Sequence, residues 1–297
     1  MSGNVVYLKK IASDNLNELL SAFERHLLET DRARSARTYL GDIKRFCEWF
    51  AGLSSILAAS PLDIADYRRH LQEEGKKPAT VNRSLVSIRV FYGWLLEQNL
   101  VPDNPAEDIR PVAESGLAPK WLTRTQQAAL IRALREEDSP RDEAIISLML
   151  HAGLRVGEVV NLKREEIKIG ERSGSVTVRS GKGNKYREVP LNRTARKMIA
   201  RWLERNPDGP LFPNRYGKPI SARGVFDIVA EYAYRAKLEN VTPHTLRHTF
   251  CKNAIDAGIP IDQVAAMAGH SRLDVTRRYT APSLQDLQSA MERMSWE

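Results

Sequence analysis

The stretch from Val241 to Thr280, VTPHTLRHTFCKNAIDAGIPIDQVAAMAGHSRLDVTRRYT, decides how the second half of this chain folds. Thr242 can act as the N-cap of a helix whose first residue is a proline, where the missing N–H is not needed. His244 is followed by Arg247 and His248 at spacings of three and four, so these side chains share one face of the helix. The sequence therefore predicts a helix that presents two imidazoles and a guanidinium together.

Two shorter helices are predicted after it. An amphipathic segment begins at Ile261 and stops at Gly269, which leaves His270 at its end. Ser271, with an aspartate three residues later, has the pattern of a capping box for a last helix that carries Tyr279. Positive donors beside helix ends form an anion site, so the stretch predicts a binding site for a phosphate.

Chain length, net charge and cysteine content limit the class of protein. A chain of 297 residues favours two domains over one core. The net charge of +8 and the pI near 9.5 indicate a polyanionic partner, most simply nucleic acid. Two cysteines offer no disulfide framework. No apolar run reaches the length of a membrane span and the N-terminus lacks a signal-peptide pattern, so a cytoplasmic protein is expected.

The first part of the chain is predicted to be a helical bundle over residues 13–101, because apolar residues recur there at helical spacing. Lys76, Lys77, Arg83 and Arg89 lie at or near the start of its fourth helix. These cations could bind DNA, or they could equally form a solvated face.

A linker and a second domain are predicted to follow. Residues 102–119 are rich in proline and have no apolar stripe, as linkers do. Residues 120–297 begin as helix, alternate like strands over 166–191 around a tight turn, and then return to helix. The predicted fold class is mainly α, with a small antiparallel β-sheet in the C-terminal domain.

Three residues outside the opening stretch could carry chemistry. Arg155, with Glu158 three positions later, is either a surface ion pair or a guanidinium held for bidentate phosphate binding. Lys182 lies on the turn GKGNK and is either a solubilising lysine or a proton donor on a hairpin.

Two histidines and one tyrosine of the opening stretch each allow two interpretations. His244 and His248 have the spacing of a metal pair, but Arg247 between them would repel a cation, so neither a metal nor a cofactor is expected. Tyr279 is either a core residue or a nucleophile, and as a nucleophile it would need nearby positive charge.

Five segments in this order, HAGLRVGE, SGKGNKYREVPL, PHTLRHTF, AGH and RRYT, resemble the tyrosine site-specific recombinases, or integrase family, and above all its compact Xer-type members. The similarity runs from about residue 14 to the C-terminus. Ala268 and Ala281 depart from the usual residues, which leaves the subfamily open.

The resemblance implies a catalytic set: Arg155, Lys182, His244, Arg247, His270 and Tyr279, with Glu158 in support. The two arginines would clamp the scissile phosphate, the lysine would protonate the leaving 5′-oxygen, and the two histidines would hydrogen-bond the phosphate and manage protons. The phenol would attack, giving a covalent 3′-phosphotyrosyl intermediate and then a Holliday junction, without metal or ATP.

The resemblance also implies how the protein meets its partners. Two domains would close around double-stranded DNA recombination sites as a clamp, in a homo-tetramer or a hetero-tetramer with a related recombinase. The C-terminal helix, with an apolar stripe at Leu284, Leu287, Met291 and Met294, would dock on a neighbouring protomer or pack in cis.

Two other functions stay open at this point. Residues 261–278 could form a helix-turn-helix of a regulator that binds DNA without catalysis, although that would leave Arg155, Lys182 and Tyr279 without a joint purpose. A type IB topoisomerase would use similar chemistry on a single duplex.

Overall fold

A computed structural model describes residues 16–30, 32–51, 55–113, 120–179 and 186–270, together with residues 276, 279 and 291–292. The chain divides into two compact units between Gly116 and Leu117, within the segment predicted as a linker. None of the helices in these ranges is long and apolar enough to cross a membrane.

The N-terminal unit is a bundle of helices. Its described helices are α1 (Leu16–Glu29), α2 (Ala36–Phe50), α3 (Pro61–Glu73) and α4 (Pro78–Glu97), with 3-10 turns at Ala33–Ser35 and Ile56–Ala58. The start of α3 is fixed by a capping box, in which the Ser60 hydroxyl accepts from the Asp63 N–H and the Asp63 carboxylate accepts from the Ser60 N–H.

Aromatic side chains join the four helices into one core. Phe23 of α1 meets Phe91 of α4 edge to face, with ring centroids 5.0 Å apart. Phe46 of α2 meets Tyr67 of α3 in the same manner, also at 5.0 Å. All four rings are fully buried and belong to one continuous apolar cluster, so the bundle has a single interior.

The basic residues predicted to bind DNA differ in their surroundings. Arg83 donates from Nε and Nη2 to the two carboxylate oxygens of Asp42, at 3.1 and 2.9 Å, and this carboxylate is buried. Arg83 therefore has a structural role that the sequence did not reveal. Lys76 and Lys77 are exposed, and DNA binding by this group stays a prediction.

Part of the predicted linker is attached to the bundle. Arg89 donates to the carbonyl oxygens of Ala106 and Ile109, each at 3.1 Å. The Asn82 amide donates to the Val112 carbonyl at 2.9 Å and accepts from the Val112 N–H at 2.7 Å. The chain up to residue 112 is thus a surface layer of the bundle rather than a free tether.

The C-terminal unit is mainly helical and contains one sheet. Its described elements are α5 (Arg124–Glu136), α6 (Pro140–His151), α7 (Val156–Asn161), β1 (Ile167–Ile169), β2 (Gly174–Arg179), β3 (Tyr186–Pro190), α8 (Arg193–Arg205), α9 (Ala222–Arg235), α10 (Pro243–Asp256) and α11 (Ile261–Ala268). This architecture confirms the predicted fold class.

The sheet is antiparallel in the order β1-β2-β3. The β2–β3 register pairs Val176 with Val189 and Arg179 with Tyr186. Val176 and Val189 are fully buried, so one face of the sheet packs on the core. The hairpin predicted to carry Lys182 connects the ends of β2 and β3, and its turn, residues 180–185, lies outside the described residues.

Helix α6 is the centre of the C-terminal unit. It is apolar on almost every side, and its side chains with at most 1% exposure include Ala144, Ile145, Ile146, Leu148, Met149 and Leu150. A helix buried all round must be surrounded by other elements. The next three residues, 152–154, are buried as well, and the exposed Arg155 that follows them belongs to the candidate site.

Candidate active site

The first arginine of the site stands at a break between two helices. The sequence predicted that the second domain begins as helix up to the strand-like segment at 166, but α6 ends at His151 and Gly153 adopts a left-handed φ of +66°. A Cβ at Gly153 would come within 2.3 Å of the Phe250 ring, so only glycine fits there. The break makes Arg155 the N-cap of α7 instead of a helix-interior residue.

Glu158 holds Arg155 from both its backbone and its side chain. One carboxylate oxygen accepts from the Arg155 N–H at 2.7 Å, and the other accepts from Arg155 Nη1 at 3.0 Å. Burial would raise the pKa of Glu158, but hydrogen bonds from Arg187 and from the Arg155 backbone outweigh it and hold this pKa below its ordinary value. The carboxylate is therefore ionised at neutral pH.

The second arginine is the largest of the fully buried side chains in the described residues. Arg247 lies in the second turn of α10 and donates from Nη1 to the carbonyl oxygen of Gly153 and from Nη2 to that of Ala268. Burial, followed by the charge of nearby Arg155, lowers its pKa to about 10. Arg247 still carries its charge at neutral pH, and its hydrogen bonds connect α10 to Gly153, which precedes α7, and to Ala268 at the end of α11.

Two histidines of α10 lie against each other. The ring centroids of His244 and His248 are 4.0 Å apart, as their predicted common face requires. Burial, followed by the charges of Arg247 and Arg155, lowers the pKa of His244. The Thr242 hydroxyl accepts from the Thr245 N–H, so the predicted N-cap of this helix is present.

Tyr279 is buried beside these histidines. Its hydroxyl contacts Nδ1 of His248, and the two ring centroids are 5.4 Å apart. The tyrosine ring is 1% exposed and packs in a small apolar cluster that includes Phe250 and Cys251. The phenol is therefore covered by protein in this conformation.

His270 follows the end of α11, where Gly269 forms a left-handed C-cap with φ +63°. Its Nδ1 is 2.8 Å from the Thr276 hydroxyl, and its ring stacks on Tyr279 with centroids 6.5 Å apart. Burial lowers the pKa of His270 to about 4, and the charges of Arg247 and Arg155 act in the same direction. The imidazole is therefore neutral at physiological pH.

Five of the six residues predicted as catalytic thus come together: Arg155, His244, Arg247, His270 and Tyr279. The sixth, Lys182, lies outside the described residues, as do the Ser271 capping box and nearly all of the C-terminal stripe. The strand that leaves the Lys182 hairpin does reach the site, because Arg187 of β3 contacts Glu158 at 2.8 Å.

Two residues of the site have contacts that the sequence analysis missed. His248 was predicted to share a helix face with His244 and Arg247 but was given no catalytic role, yet it contacts the tyrosine hydroxyl. Arg187 had no predicted role, yet its side chain is only 16% exposed and lies against Glu158. Its place two residues before the buried Val189, on the inward-facing alternation of β3, was the available signal.

Comparison with known proteins agrees with this arrangement. Residues 120–285 match the phage integrase family, and residues 20–99 match the family's N-terminal SAM-like domain. The chain belongs to the phage integrase family. The predicted family resemblance is thereby confirmed.

Relatives within the phage integrase family are similar over nearly their whole length. The tyrosine recombinase XerC of Pelobacter propionicus is 33% identical over 291 residues, which cover 94% of this chain and 95% of the relative. The tyrosine recombinase XerA of Thermococcus kodakarensis is 30% identical, with 93% of this chain and 95% of the relative covered. The chain is therefore a Xer-like member of the family.

Solved structures of the family share the fold. The site-specific recombinase XerH bound to palindromic difH substrate aligns with a TM-score of 0.75 at 21% identity, over 86% of this chain and 79% of that one. A lambda integrase dimer bound to a COC′ core site aligns with a TM-score of 0.72 at 17% identity, over 89% of this chain and 94% of that one. At these identities the likeness concerns the fold.

Proposed function

We propose that this protein is a site-specific DNA recombinase that cuts and rejoins strands through Tyr279. The main support is the convergence of two guanidiniums, three imidazoles and one phenol in a family whose relatives are named tyrosine recombinases. Charged donors of this kind stabilise the negative charge that develops on a phosphate in the transition state.

In the proposed reaction the Tyr279 oxygen attacks the scissile phosphorus, and the bond from phosphorus to the 5′-oxygen breaks. His248, in contact with the phenol, accepts its proton, and Lys182 gives a proton to the leaving 5′-oxygen. The DNA is left with a 3′-phosphotyrosyl bond and a free 5′-hydroxyl. Attack by the 5′-hydroxyl of another strand reverses these steps, so the bond energy is kept and ATP is not needed.

The arginines and the other two histidines bind the phosphate in this scheme. Arg155 has a side chain 45% exposed, so it can reach a ligand while Glu158 holds its base. Arg247 lies deeper and acts as fixed positive charge. His270 and His244, both with lowered pKa values, are neutral imidazoles that can donate one hydrogen bond each to phosphate oxygens.

The burial of Tyr279 sets a condition on this reaction. A phenol that is 1% exposed must leave its apolar cluster before it can meet a phosphate. We infer that DNA binding, or a neighbouring protomer, releases the segment that carries it. That inference fits the proposed working assembly of four protomers on two paired sites, either of one kind or shared with a related recombinase.

Further features belong to the same proposal. The protein would bind double-stranded DNA, with Lys76, Lys77, Arg83 and Arg89 near the duplex. The C-terminal helix would dock on a neighbour, and the protein would act in the cytoplasm.

A nicked duplex tests the function. The binding site is first selected from random DNA, and a nick near the scissile phosphate is then introduced so that the cut end diffuses away. Wild type should form an adduct that survives SDS, joined to a DNA 3′-end, whereas Tyr279→Phe should bind the duplex with similar affinity and form none. Binding without any adduct in wild type would favour the regulator, and relaxation of plasmid lacking the site would favour the topoisomerase.

A further inference from the structure

Arg187 makes a dense set of contacts beneath the site. It donates from Nη1 and Nη2 to the two oxygens of Glu158, at 2.9 and 2.8 Å, and from Nε to the carbonyl oxygen of Met267 at 2.7 Å. A bidentate pair with a third bond on Nε fixes the whole plane of a guanidinium. Arg187 is therefore held on two sides, by α7 and by α11.

Glu158 is shared between Arg187 and Arg155. Each carboxylate oxygen of Glu158 accepts one hydrogen bond from Arg187 and one from Arg155. The bonds from Arg155 come from its backbone N–H at 2.7 Å and from Nη1 at 3.0 Å. The exposed fractions differ, because the Arg187 side chain is 16% exposed and that of Arg155 is 45% exposed. Arg155 thus faces a ligand, and Arg187 lies behind the carboxylate.

The same guanidinium supports the turn that leads to His270. A Cβ built on Gly269 would lie 2.8 Å from Arg187 Nη1, so Arg187 fills the space under this residue. The Gly269 carbonyl in turn accepts from Arg155 Nη2 at 2.7 Å. Arg187 therefore underlies both the arginine and the histidine turn of the site.

We propose that Arg187 is a positioning residue for strand cleavage, which fixes Arg155 through Glu158 and the His270 turn through Met267 and Gly269. The proposal rests on the proposed recombinase function. Without Arg187, two of the four bonds to the carboxylate vanish, and Glu158 is free to draw the Arg155 side chain away from the phosphate. Displacement of a charged group by about 1 Å can slow an enzyme by about 10²-fold.

The test compares cleavage by Arg187→Met and Arg187→Lys with wild type on the nicked duplex at saturating protein. We expect a loss of about 10²-fold for Arg187→Met. Arg187→Lys keeps the positive charge but loses the bidentate guanidinium, so its cleavage rate should lie between that of Arg187→Met and that of wild type. Arg201→Met is the matched control, because Arg201 also binds a buried carboxylate, that of Glu143, and it should cleave like wild type.

A second substrate separates positioning from general stability. A methylphosphonate at the scissile position removes the negative charge that Arg155 neutralises, so the defect of Arg155→Ala should shrink on it. If Arg187 acts through Arg155, its defect should shrink as well, and Arg155→Ala/Arg187→Met should cleave no more slowly than Arg155→Ala. An Arg187 defect equal on both substrates would overturn the proposal, and so would multiplied defects in the double variant, which indicate an independent contact.

The result for wild type distinguishes the proposed recombinase function from the proposed role of Arg187. Absence of an adduct in wild type would overturn the recombinase function and the role of Arg187 with it. A normal wild-type adduct together with normal cleavage by Arg187→Met would overturn the role of Arg187 alone.

Discussion

Arg155 donates from Nη2 to the carbonyl oxygen of Gly269 at 2.7 Å, across 114 positions of sequence. This bond joins the first arginine motif to the turn that presents His270. Because Glu158 holds the other side of the same guanidinium at 3.0 Å, Arg155 is oriented before any DNA arrives. Such orientation in the free protein is what an electrostatic catalyst requires.

Replacement of Arg247 should damage both the fold and the reaction. Arg247→Met leaves the Gly153 and Ala268 carbonyls without their buried donor, and each lost buried partner costs about 1–3 kcal/mol. The free energy of unfolding, measured in urea, should fall by a few kcal/mol. Cleavage of the nicked duplex, measured below the unfolding transition, should fall by about 10²–10³-fold.

Arg247→Lys is the informative companion of that variant. It keeps the positive charge but cannot reach both carbonyl oxygens with a planar fork. Cleavage by Arg247→Lys at the wild-type rate would contradict the role of the guanidinium and leave only a requirement for charge.

The two glycines around Arg155 should respond to alanine in opposite directions. Gly153→Ala forces a side chain into a left-handed backbone and against the Phe250 ring, so it should lower the free energy of unfolding by more than about 2 kcal/mol. Gly157→Ala, inside α7 with no atom within 4 Å of the new Cβ, should raise it by up to about 1 kcal/mol. Urea unfolding of both variants provides the comparison, and equal effects would disprove the assigned backbone geometry.

Acid should destabilise the protein partly through His270. The pKa of this imidazole is lowered from 6.5 in the unfolded chain to about 4 in the folded protein, first by burial and then by Arg247 and Arg155. Between these two pH values the unfolded chain binds more protons than the folded protein. The stability that comes from the neutral His270 is therefore fully present above pH 6.5 and is lost as the pH falls toward about 4.

The His270→Gln variant isolates this contribution. Thermal unfolding measured at intervals from neutral pH to about pH 4 should show a shallower loss of Tm for the variant than for wild type. His70→Gln is the control, since His70 is a histidine of the N-terminal unit that stacks on Trp49 with its side chain 38% exposed. Parallel pH curves for wild type and His270→Gln would show that His270 titrates normally.

His248 should affect the proton of the nucleophile. A positioned group that takes the proton of the nucleophile contributes about 10²-fold or more to a rate. His248→Gln should therefore cleave about 10²-fold more slowly than wild type. Single-turnover cleavage at neutral pH measures the effect, and cleavage by His248→Gln at the wild-type rate would place the acceptor elsewhere.

Part of the candidate site could be predicted from the sequence because several of its residues are neighbours on one helix, and their spacing shows which of them share a face. The common face of His244, Arg247 and His248 follows from helical periodicity, and the Thr242 N-cap is visible in the letters. The convergence of Arg155 with that helix was implied only by the family resemblance, because periodicity gives no information on contacts more than a hundred positions apart.

The contacts that escaped prediction depend on tertiary packing. The break at Gly153 is enforced by a ring from α10, which no local pattern reveals. Arg89 resembled a surface cation, yet it binds the carbonyl oxygens of Ala106 and Ile109. The segment after the bundle has the composition of a linker, and some of its backbone groups find partners on α4, which composition does not reveal.

The single carboxylate between two guanidiniums has a consequence for how this protein can change over generations. Loss of Glu158 leaves both guanidiniums without their shared carboxylate, and loss of either arginine side chain removes bonds that hold this carboxylate. We expect these three positions to be inherited as a block, and lineages that lose one of them to have replaced the others or abandoned the activity.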